Sequence, residues 1–291
     1  MNVELVLNAK CLIGEGPCWD EPTKTIYFVD LLGNRIYSFD GKIEHHVSFD
    51  QNLGAAVVRE KGGLAAAMQH GYYFVDFPGG GLEKIADPEA EYPDHRFNDG
   101  KCDAKGRFWA GTMSKNLDTG YGEAIPDCGL YCLDTDGKAE QKLSDVIQGN
   151  GLGWTKDSKK MYFIDSQTYT VQEFDFDLEK GSISNGRVAV EVPKEMGLPD
   201  GMTVDDDGML WIALWGGGCV SRWNPKTGEL LCKIEVPAKN VTACTFGGPD
   251  MNELYITTAK MDTDEEQYPH AGGLFKIKLD ITGTPSYRYQ G

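Results

Sequence analysis

Long apolar runs and positive charge are both scarce in this sequence. No apolar run among its 291 residues approaches the roughly 18–20 residues of a membrane-spanning helix. The first residues, Met1 to Leu5, include no basic region followed by an apolar core, so we expect no signal peptide. Lysine and arginine together number 28 against 45 aspartates and glutamates, a formal net charge of −17. This balance disfavours nucleic acid and anionic membranes, and we expect neither as a partner.

Several short motifs of known enzyme classes are also missing. The eight cysteines form no Cys-x-x-Cys pair, and Cys128 and Cys132 have no partner ligands at zinc spacing. We therefore predict buried, reduced cysteines in a cytoplasmic protein. The absence of a Gly-x-Ser-x-Gly elbow and of a phosphate loop argues against serine hydrolases and nucleotide-binding proteins. The run from Asp205 to Gly208 resembles part of a calcium loop, but it lacks the later glutamate and predicts a hairpin turn.

The sequence is rich in glycine, with 36 residues, and in short β-rich runs that repeat. An apolar start, a polar turn and two β-rich runs recur six times, with turn markers at Lys24, Gly63, Gly106, Lys159, Gly208 and Glu253. Spacings of 39 to 53 residues between the markers are typical of propellers with four strands per blade. The sequence therefore predicts an all-β, six-bladed β-propeller as a single domain over residues 1–291. Two packed sandwiches would not explain the even spacing. We expect residues 3–7 to pair with the last blade and close the ring.

Four oxygen-bearing side chains precede or adjoin glycines at matching points of the repeat. They are Glu15, Asn98, Asn150 and Asp200, which we interpret as residues of polar turns just before the first strand of a copy. Equivalent positions in a ring of blades face a common axis, so the four are expected to converge on a central metal site. Two carboxylates and two amide oxygens suit Ca²⁺, Mg²⁺ or Mn²⁺. The alternative is that these are only tight turns, which the same residues favour.

Other residues are candidates for substrate contact. Arg96 lies two positions before Asn98, a spacing that places both side chains on one side of a strand. Its guanidinium could hold substrate hydroxyls or oxyanions, although a solvated loop arginine is an equal alternative. The irregular segments 78–95 and 113–127 are expected to be loops that cover the site. We predict that the histidines at 45, 46 and 70 are surface residues, and that His270 could reach a channel mouth.

Several short motifs, in their order and spacing, resemble the gluconolactonase/regucalcin family, which includes sugar lactonases and luciferin-regenerating enzyme. The resemblance covers essentially the whole chain, and the motifs are Gly14-Glu15-Gly16-Pro17, Arg96-Phe97-Asn98-Asp99-Gly100-Lys101, Gly111-Thr112-Met113, Asn150-Gly151-Leu152, Leu198-Pro199-Asp200-Gly201 and Phe246-Gly247-Gly248-Pro249.

The resemblance implies a six-bladed propeller with one divalent metal, held by Glu15, Asn150 and Asp200. It also implies that Arg96 and Asn98 contact substrate and that Asp200 is the general base, with a metal-held hydroxide as the alternative base. Animal members carry a glutamate at the position of Asn116, which could still bond a substrate hydroxyl.

From these residues we predict a metal-dependent hydrolase that opens a sugar lactone, such as gluconolactone, xylonolactone or arabinonolactone. The metal would be Ca²⁺, Mg²⁺, Mn²⁺, Zn²⁺ or Fe²⁺. A calcium-binding regulatory protein, or a hydrolase of other esters or organophosphates, are the alternatives on the same scaffold. We expect a monomer or a weak homo-oligomer.

Overall fold

The chain forms a ring of antiparallel sheets in a computed structural model that describes residues 2–119 and 122–291. Strand β1 (Glu4–Leu7) precedes the first blade, which contains β2 (Gly14–Asp20), β3 (Thr25–Asp30), β4 (Arg35–Phe39) and β5 (Glu44–Ser48). The second blade contains β6 (Leu53–Val58), β7 (Leu64–Met68), β8 (Gly71–Val75) and β9 (Leu82–Ala86). The third contains β10 (His95–Cys102), β11 (Phe108–Ser114), β12 (Cys128–Leu133) and β13 (Ala139–Val146).

The remaining three blades follow the same plan. The fourth contains β14 (Gly149–Trp154), β15 (Lys160–Asp165), β16 (Thr170–Asp177) and β17 (Ser182–Glu191). The fifth contains β18 (Leu198–Val204), β19 (Leu210–Trp215), β20 (Cys219–Asn224) and β21 (Glu229–Glu235). The sixth contains β22 (Asn240–Gly247), β23 (Glu253–Ala259) and β24 (Leu274–Lys278). Among the described residues, three short 3-10 helices lie between strands, at Lys115–Thr119, Ser166–Thr168 and Lys194–Met196.

The predicted six-bladed propeller is confirmed. Each blade is a four-stranded antiparallel sheet, and the innermost strands β2, β6, β10, β14, β18 and β22 lie next to one another around the ring. Strand β1 pairs with β24, so the N-terminal segment supplies the fourth strand of the last blade. That closure, expected from the sequence, removes the exposed edge that an open ring would leave.

The outer strands are harder to predict from the sequence than the innermost strands. Strand β9 lies within the segment 78–95, which we expected to be a loop, and a 3-10 helix occupies part of 113–127. Both expectations were wrong in this respect. The reason is exposure: Leu82, Glu83 and Lys84 of β9 are all exposed, so this strand carries no apolar run that would mark it as β.

The core consists of apolar layers between neighbouring blades, and two buried aspartates fix the turns beneath them. Asp103 accepts a hydrogen bond from the indole nitrogen of Trp109 at 2.9 Å, and Asp205 accepts one from that of Trp211 at 2.9 Å. The predicted hairpin turn at 205–208 is confirmed, because the Asp205 amide donates to the Met209 carbonyl at 3.0 Å. These aspartates therefore stabilise the turns between the first and second strands of their blades.

The course of the C-terminal tail, residues 279–291, is not predicted by the sequence pattern. The tail crosses the face of the ring at which the innermost strands end. Thr284 donates to the Val204 carbonyl at 3.1 Å, the Arg288 guanidinium pairs with Asp20, and Tyr289 donates to the Val58 carbonyl at 2.8 Å. The tail therefore connects the fifth, first and second blades across the face at which their innermost strands end.

The cysteines and the helices bear on two expectations from the sequence. All eight cysteines are free thiols, of which seven are buried as predicted, while Cys232 is exposed. Across residues 2–119 and 122–291, no helix is long and apolar enough to span a membrane.

Candidate functional site

The candidate site residues lie within the innermost strands rather than in turns before them. Glu15 lies in β2, Asn98 in β10, Asn150 in β14 and Asp200 in β18. The strand pairing of all four strands shifts in register at these points, for example between Glu15 and Cys18. A bulge re-aims side chains, so these oxygens can turn toward the axis. The interpretation of these positions as polar turns just before the first strands was therefore wrong.

Glycine follows these residues because the inner strands approach one another closely. A Cβ atom on Gly151 would lie 2.7 Å from the backbone nitrogen of Met202 in the next blade. One on Gly201 would lie 2.4 Å from the Cβ of Ala243 in the blade after that. Real Cβ atoms do not tolerate such distances, so any larger residue would push the inner strands apart. An oxygen-bearing residue followed by glycine therefore marks a position where an innermost strand lies close to its neighbour around the channel axis.

A cavity of about 200 Å³ lies at the end of the ring where the innermost strands begin. In the described part of the chain, its polar lining comprises Glu15, Arg96, Asn98, Asp118, Gln148, Gln167, Asp200 and Asp262. Its apolar lining comprises Ile13, Leu31, Met113, Leu117, Leu198, Trp215 and Met261. Four of the six candidate site residues therefore share this cavity. Asn150 lies directly behind Asp200, and Asn116 is exposed outside the lining.

Asn150 is held with its carbonyl oxygen unpaired. Its amide nitrogen donates to Asp200 Oδ1 at 2.5 Å and to Ser166 Oγ at 3.0 Å, and Ser166 in turn donates to the Pro199 carbonyl at 2.7 Å. The two donated bonds fix the amide orientation. Asn150 Oδ1 is buried and has no hydrogen-bond partner among the described residues. A buried oxygen of this kind requires a missing partner, such as a cation or a water.

Three carboxyl groups are buried close to this oxygen, where desolvation disfavours their charged forms. Burial raises the pKa of Glu15 and of Asp200 well above their usual ranges, and the charges of Asp200 and Asp99 add to the effect at Glu15. Burial also raises the pKa of Asp99, against the opposing charge of Lys101. Buried carboxylates at such proximity need a compensating cation. The donor set of Glu15, Asn150 and Asp200 therefore fits a hard divalent cation.

Arg96 is buried and already engaged. Its Nε and Nη2 donate to the two carboxylate oxygens of Asp118 at 3.0 and 2.6 Å, while Nη1 donates to Asn98 Oδ1 at 2.8 Å and to the Phe97 carbonyl at 3.1 Å. Asn98 donates onward to the Gly149 carbonyl at 2.9 Å. The spacing argument that placed Arg96 and Asn98 on one side is confirmed by their direct bond. Four of the five guanidinium N–H groups are used within the described residues, so the Arg96 side chain is held in one position.

The comparisons with known proteins identify the family. The family described as SMP-30/Gluconolactonase/LRE-like region matches residues 13–260. The chain belongs to this family. It is 39% identical over 100% of its length to a Bacillus subtilis (strain 168) protein named as a sugar lactone lactonase, YvrE, of which 99% is covered. It is 36% identical to regucalcin of Danio rerio, again over 100% of this chain and 99% of the relative.

The fold comparison agrees with the family assignment. The solved structure of luciferin-regenerating enzyme superposes with a TM-score of 0.92 at 30% identity, covering 100% of this chain and 99% of that one. The resemblance to the gluconolactonase/regucalcin family, stated from the motifs, is thereby confirmed. The relatives in this family thus carry different names, one a sugar lactone lactonase and others regucalcin.

Sequence reasoning missed three polar residues at or next to this candidate site. Asp118 pairs with Arg96, Ser166 orients Asn150, and Asp99 lies beside the other buried carboxyls. Asp99 stands next to Asn98 in the quoted motif, so its position was available as a signal. Asp118 and Ser166 lie in short 3-10 helices whose distance from the axis only the fold reveals.

Several other candidates lie away from the cavity. The histidines at 45, 46, 70 and 270 are all exposed, and His270 does not line the cavity. A larger groove of about 820 Å³ lies between the fifth and sixth blades and is lined by mixed residues such as Val3, Cys232 and Ile277. We favour the smaller cavity as the site because polar groups with perturbed pKa values converge there.

Proposed function

We propose that this chain is a metal-dependent hydrolase that opens a sugar lactone to its aldonic acid. The single observation that supports this most is the unpaired Asn150 Oδ1, buried beside the Asp200 and Glu15 carboxyls at the wall of a polar cavity. A cavity of about 200 Å³ with several hydrogen-bonding groups suits a small polyhydroxylated ring. The family's lactonase-named relatives point to the same class of substrate.

Glu15, Asn150 and Asp200 would hold the metal. All three offer oxygen donors, which favours Ca²⁺, Mg²⁺ or Mn²⁺, with Zn²⁺ and Fe²⁺ also to be tested. The metal, when bound, would act as a Lewis acid toward the lactone carbonyl. Ser166 would keep the Asn150 amide nitrogen turned away from the cation and its oxygen turned toward it.

The reaction needs a proton acceptor and ring alignment. Asp200 would accept a proton from the attacking water as the new carbon–oxygen bond forms at the carbonyl carbon. The bond to the ring oxygen then breaks, and that oxygen takes up a proton as the ring opens. Arg96 and Asn98 would orient the sugar hydroxyls, since they form one hydrogen-bonded unit at the cavity wall. The substrate contact assigned to Asn116 stays a prediction.

The experiment is lactone hydrolysis, followed by pH change, on gluconolactone, xylonolactone and arabinonolactone. Metal-stripped protein is compared with protein given Ca²⁺, Mg²⁺, Mn²⁺, Zn²⁺ or Fe²⁺. We expect turnover that one or more of these cations restores. Tight cation binding with no turnover on any lactone would instead support the regulatory or other-ester alternatives.

A matched pair of variants tests the role of Asp200. Asp200→Asn keeps the shape of the side chain but removes the charge and the proton acceptor, so we expect kcat/KM to fall by at least roughly 100-fold, the lower range for loss of a general base. Asp262→Asn alters another carboxylate of the same cavity and should change kcat/KM by less than about threefold, as a rim charge acts weakly. Full activity in Asp200→Asn would overturn the assignment.

A further inference from the structure

Three metal-ligand side chains meet at the edge of the third blade, outside the cavity. His95 begins β10, Cys128 begins β12, and Asp127 directly precedes Cys128. His95 Nε2 lies 3.6 Å from Asp127 Oδ1 and 3.8 Å from Cys128 Sγ, and Cys128 Sγ lies 3.5 Å from Asp127 Oδ1. Nitrogen, oxygen and sulfur thus form a nearly equilateral triangle.

The triangle has the dimensions of a metal site. The point equidistant from its three corners lies about 2.1 Å from each atom, within the roughly 2.0–2.3 Å of zinc–nitrogen, zinc–oxygen and zinc–sulfur bonds. Cys128 Sγ also lies 3.7 Å from His95 Nδ1, beside the imidazole ring, so rotation of the Cys128 side chain is needed to bring the sulfur in front of the Nε2 lone pair. The fourth position of a tetrahedron could be taken by water, because the Asp127 side chain is 42% exposed.

A second layer of hydrogen bonds orients the histidine for this role. His95 Nδ1 is hydrogen-bonded to Glu89 Oε2, and Glu89 Oε1 accepts a bond from Thr112 Oγ1 at 2.9 Å. With Nδ1–H donating to Glu89, Nε2 carries the free lone pair that a metal requires. The ring of Tyr92 stacks on that of His95 at 4.9 Å. A carboxylate–histidine pair of this kind is the usual support of a zinc-binding imidazole.

We propose that His95, Asp127 and Cys128 bind a divalent transition metal, with Zn²⁺ the best fit to one nitrogen, one oxygen and one sulfur ligand. This site is distinct from the cavity, whose candidate metal ligands are all oxygens. The ion would join the start of β10 to the end of the segment between β11 and β12. That segment carries Asp118, the partner of Arg96, so the ion would act as a clip beside the cavity.

The spacing of the ligands explains why sequence motifs do not reveal this site. His95 and Cys128 are 33 residues apart and belong to different strands of one blade. Zinc motifs usually place two ligands within a few residues of each other, and only Asp127 and Cys128 do so here. The first and third strands of a meander run in the same direction, so their starting ends lie at the same edge of the sheet.

Cobalt binding tests the proposal with a signal that the cavity site cannot give. The full-length protein is stripped of metal, kept reduced and titrated with Co²⁺. Thiolate bound to Co²⁺ absorbs in the near ultraviolet by charge transfer, whereas oxygen ligands do not. We expect one equivalent of this band, and we expect it to disappear when Zn²⁺ is added. Lactone hydrolysis is not part of the readout, so a failure here is separate from a failure of the proposed function.

Single substitutions test which cysteine gives the charge-transfer band. Cys128→Ser should abolish it, whereas Cys232→Ser, which alters the exposed cysteine, should keep it in full. Glu89→Gln should weaken Co²⁺ binding by roughly 10–100-fold, the usual cost of losing an outer carboxylate. If Cys128→Ser does not fold, Asp127→Asn replaces it, because its partly exposed side chain can change without loss of packing. Asp127→Asn should weaken binding by at least about tenfold.

Each of three outcomes would overturn the proposal. A wild-type protein without the charge-transfer band would show that the cluster is only an ion-paired histidine beside a thiol. A band that persists in Cys128→Ser would place the metal at another thiol. An unchanged affinity in Asp127→Asn would show that the Asp127 carboxylate is not a ligand.

Discussion

At the scale of single residues, one hydroxyl organises the candidate metal site. Ser166 Oγ accepts a bond from Asn150 of the fourth blade and donates one to Pro199 of the fifth, next to Asp200. It thereby fixes both a candidate ligand and the strand that carries another. The buried Asn150 Oδ1 is left unpaired as a direct result. Burying such an oxygen without a partner costs about 1–3 kcal/mol, which a cation would offset.

Ser166→Ala should weaken metal binding without removing a ligand. Because Asn150 would lose the group that orients its amide, we expect the metal concentration for half-maximal lactonase activity to rise by roughly 10–100-fold. Activity at saturating metal should stay close to that of the wild type. Ser221→Ala removes another buried, hydrogen-bonded serine away from the site and is the matched control. An unchanged metal requirement in Ser166→Ala would contradict the positioning role.

At the scale of elements, the 3-10 helix Lys115–Thr119 meets β10 through one ion pair. Asp118 receives two hydrogen bonds from Arg96, whose guanidinium also holds Asn98. The Arg96 side chain is almost fully buried and the Asp118 side chain is 17% exposed, so water screens the pair little. A short irregular element therefore sets the position of two residues in the wall of the cavity.

Asp118→Asn should weaken the contacts that position Arg96 and Asn98 in the cavity wall. The uncharged amide cannot accept two charge-assisted bonds from Arg96, so we expect KM for lactone to rise by roughly tenfold, about 1.4 kcal/mol of binding. The free energy of unfolding, from denaturant titration, should fall by about 1.5–3 kcal/mol.

The matched control for this change is Asp175→Asn, which breaks a surface pair with Lys160. It should alter the free energy of unfolding by no more than about 0.5 kcal/mol. A lower KM in Asp118→Asn would mean that Asp118 competes with substrate for Arg96 and would contradict the positioning argument.

At the scale of the whole molecule, both ends of the chain hold the ring closed. Strand β1 completes the sixth blade, and the tail after β24 bonds to the fifth, first and second blades and reaches Gly106 of the third blade through Gln290. Tyr289 is fully buried in this tail, and its hydroxyl donates to the Asp134 carbonyl at 2.8 Å. The ring is therefore fastened by strand pairing at its rim and by the tail at one face.

Tyr289→Ala should destabilise the whole ring. Loss of a buried aromatic side chain costs about 3–5 kcal/mol, and for a chain of this size each kcal/mol lowers Tm by roughly 2–4 °C. We therefore expect calorimetry to show a Tm lower by roughly 10 °C. Ile43→Ala truncates an exposed apolar side chain and should leave Tm nearly unchanged. A Tm close to wild type in Tyr289→Ala would show that the tail is dispensable for closure.

Metal removal should also lower the stability of the ring. Glu15, Asp99 and Asp200 are buried near one another, and a bound cation would stabilise their ionised forms, which burial disfavours. A ligand present at 100 times its Kd stabilises by about 2.7 kcal/mol, which corresponds to a rise in Tm of roughly 5–10 °C. We expect Ca²⁺ or Mn²⁺ to produce this rise in metal-stripped wild type and in Cys128→Ser, but not in Asp200→Asn. A wild-type Tm that neither cation raises would contradict the candidate metal site.

The sequence was sufficient for the features that repeat or that stand in short motifs. The recurring β-rich runs gave six blades, and Val3 to Leu7 predicted the closing strand. The positions of Glu15, Asn98 and Asp200 at equivalent points predicted a shared cavity, because a ring places equivalent positions around one axis. Outer strands such as β9 escaped detection because their exposed, polar residues carry no apolar period.

The sequence by itself therefore determined the number of blades, the family motifs and the oxygen-rich chemistry at the axis. Only the tertiary structure decided which glycines mark close approach of strands, which partner holds Arg96, and where the tail runs. It also brought His95 to Asp127 and Cys128 across 33 residues of sequence. The physical reason is that periodicity is a local property of the chain, whereas a pairing between different strands or blades depends on their relative placement in space.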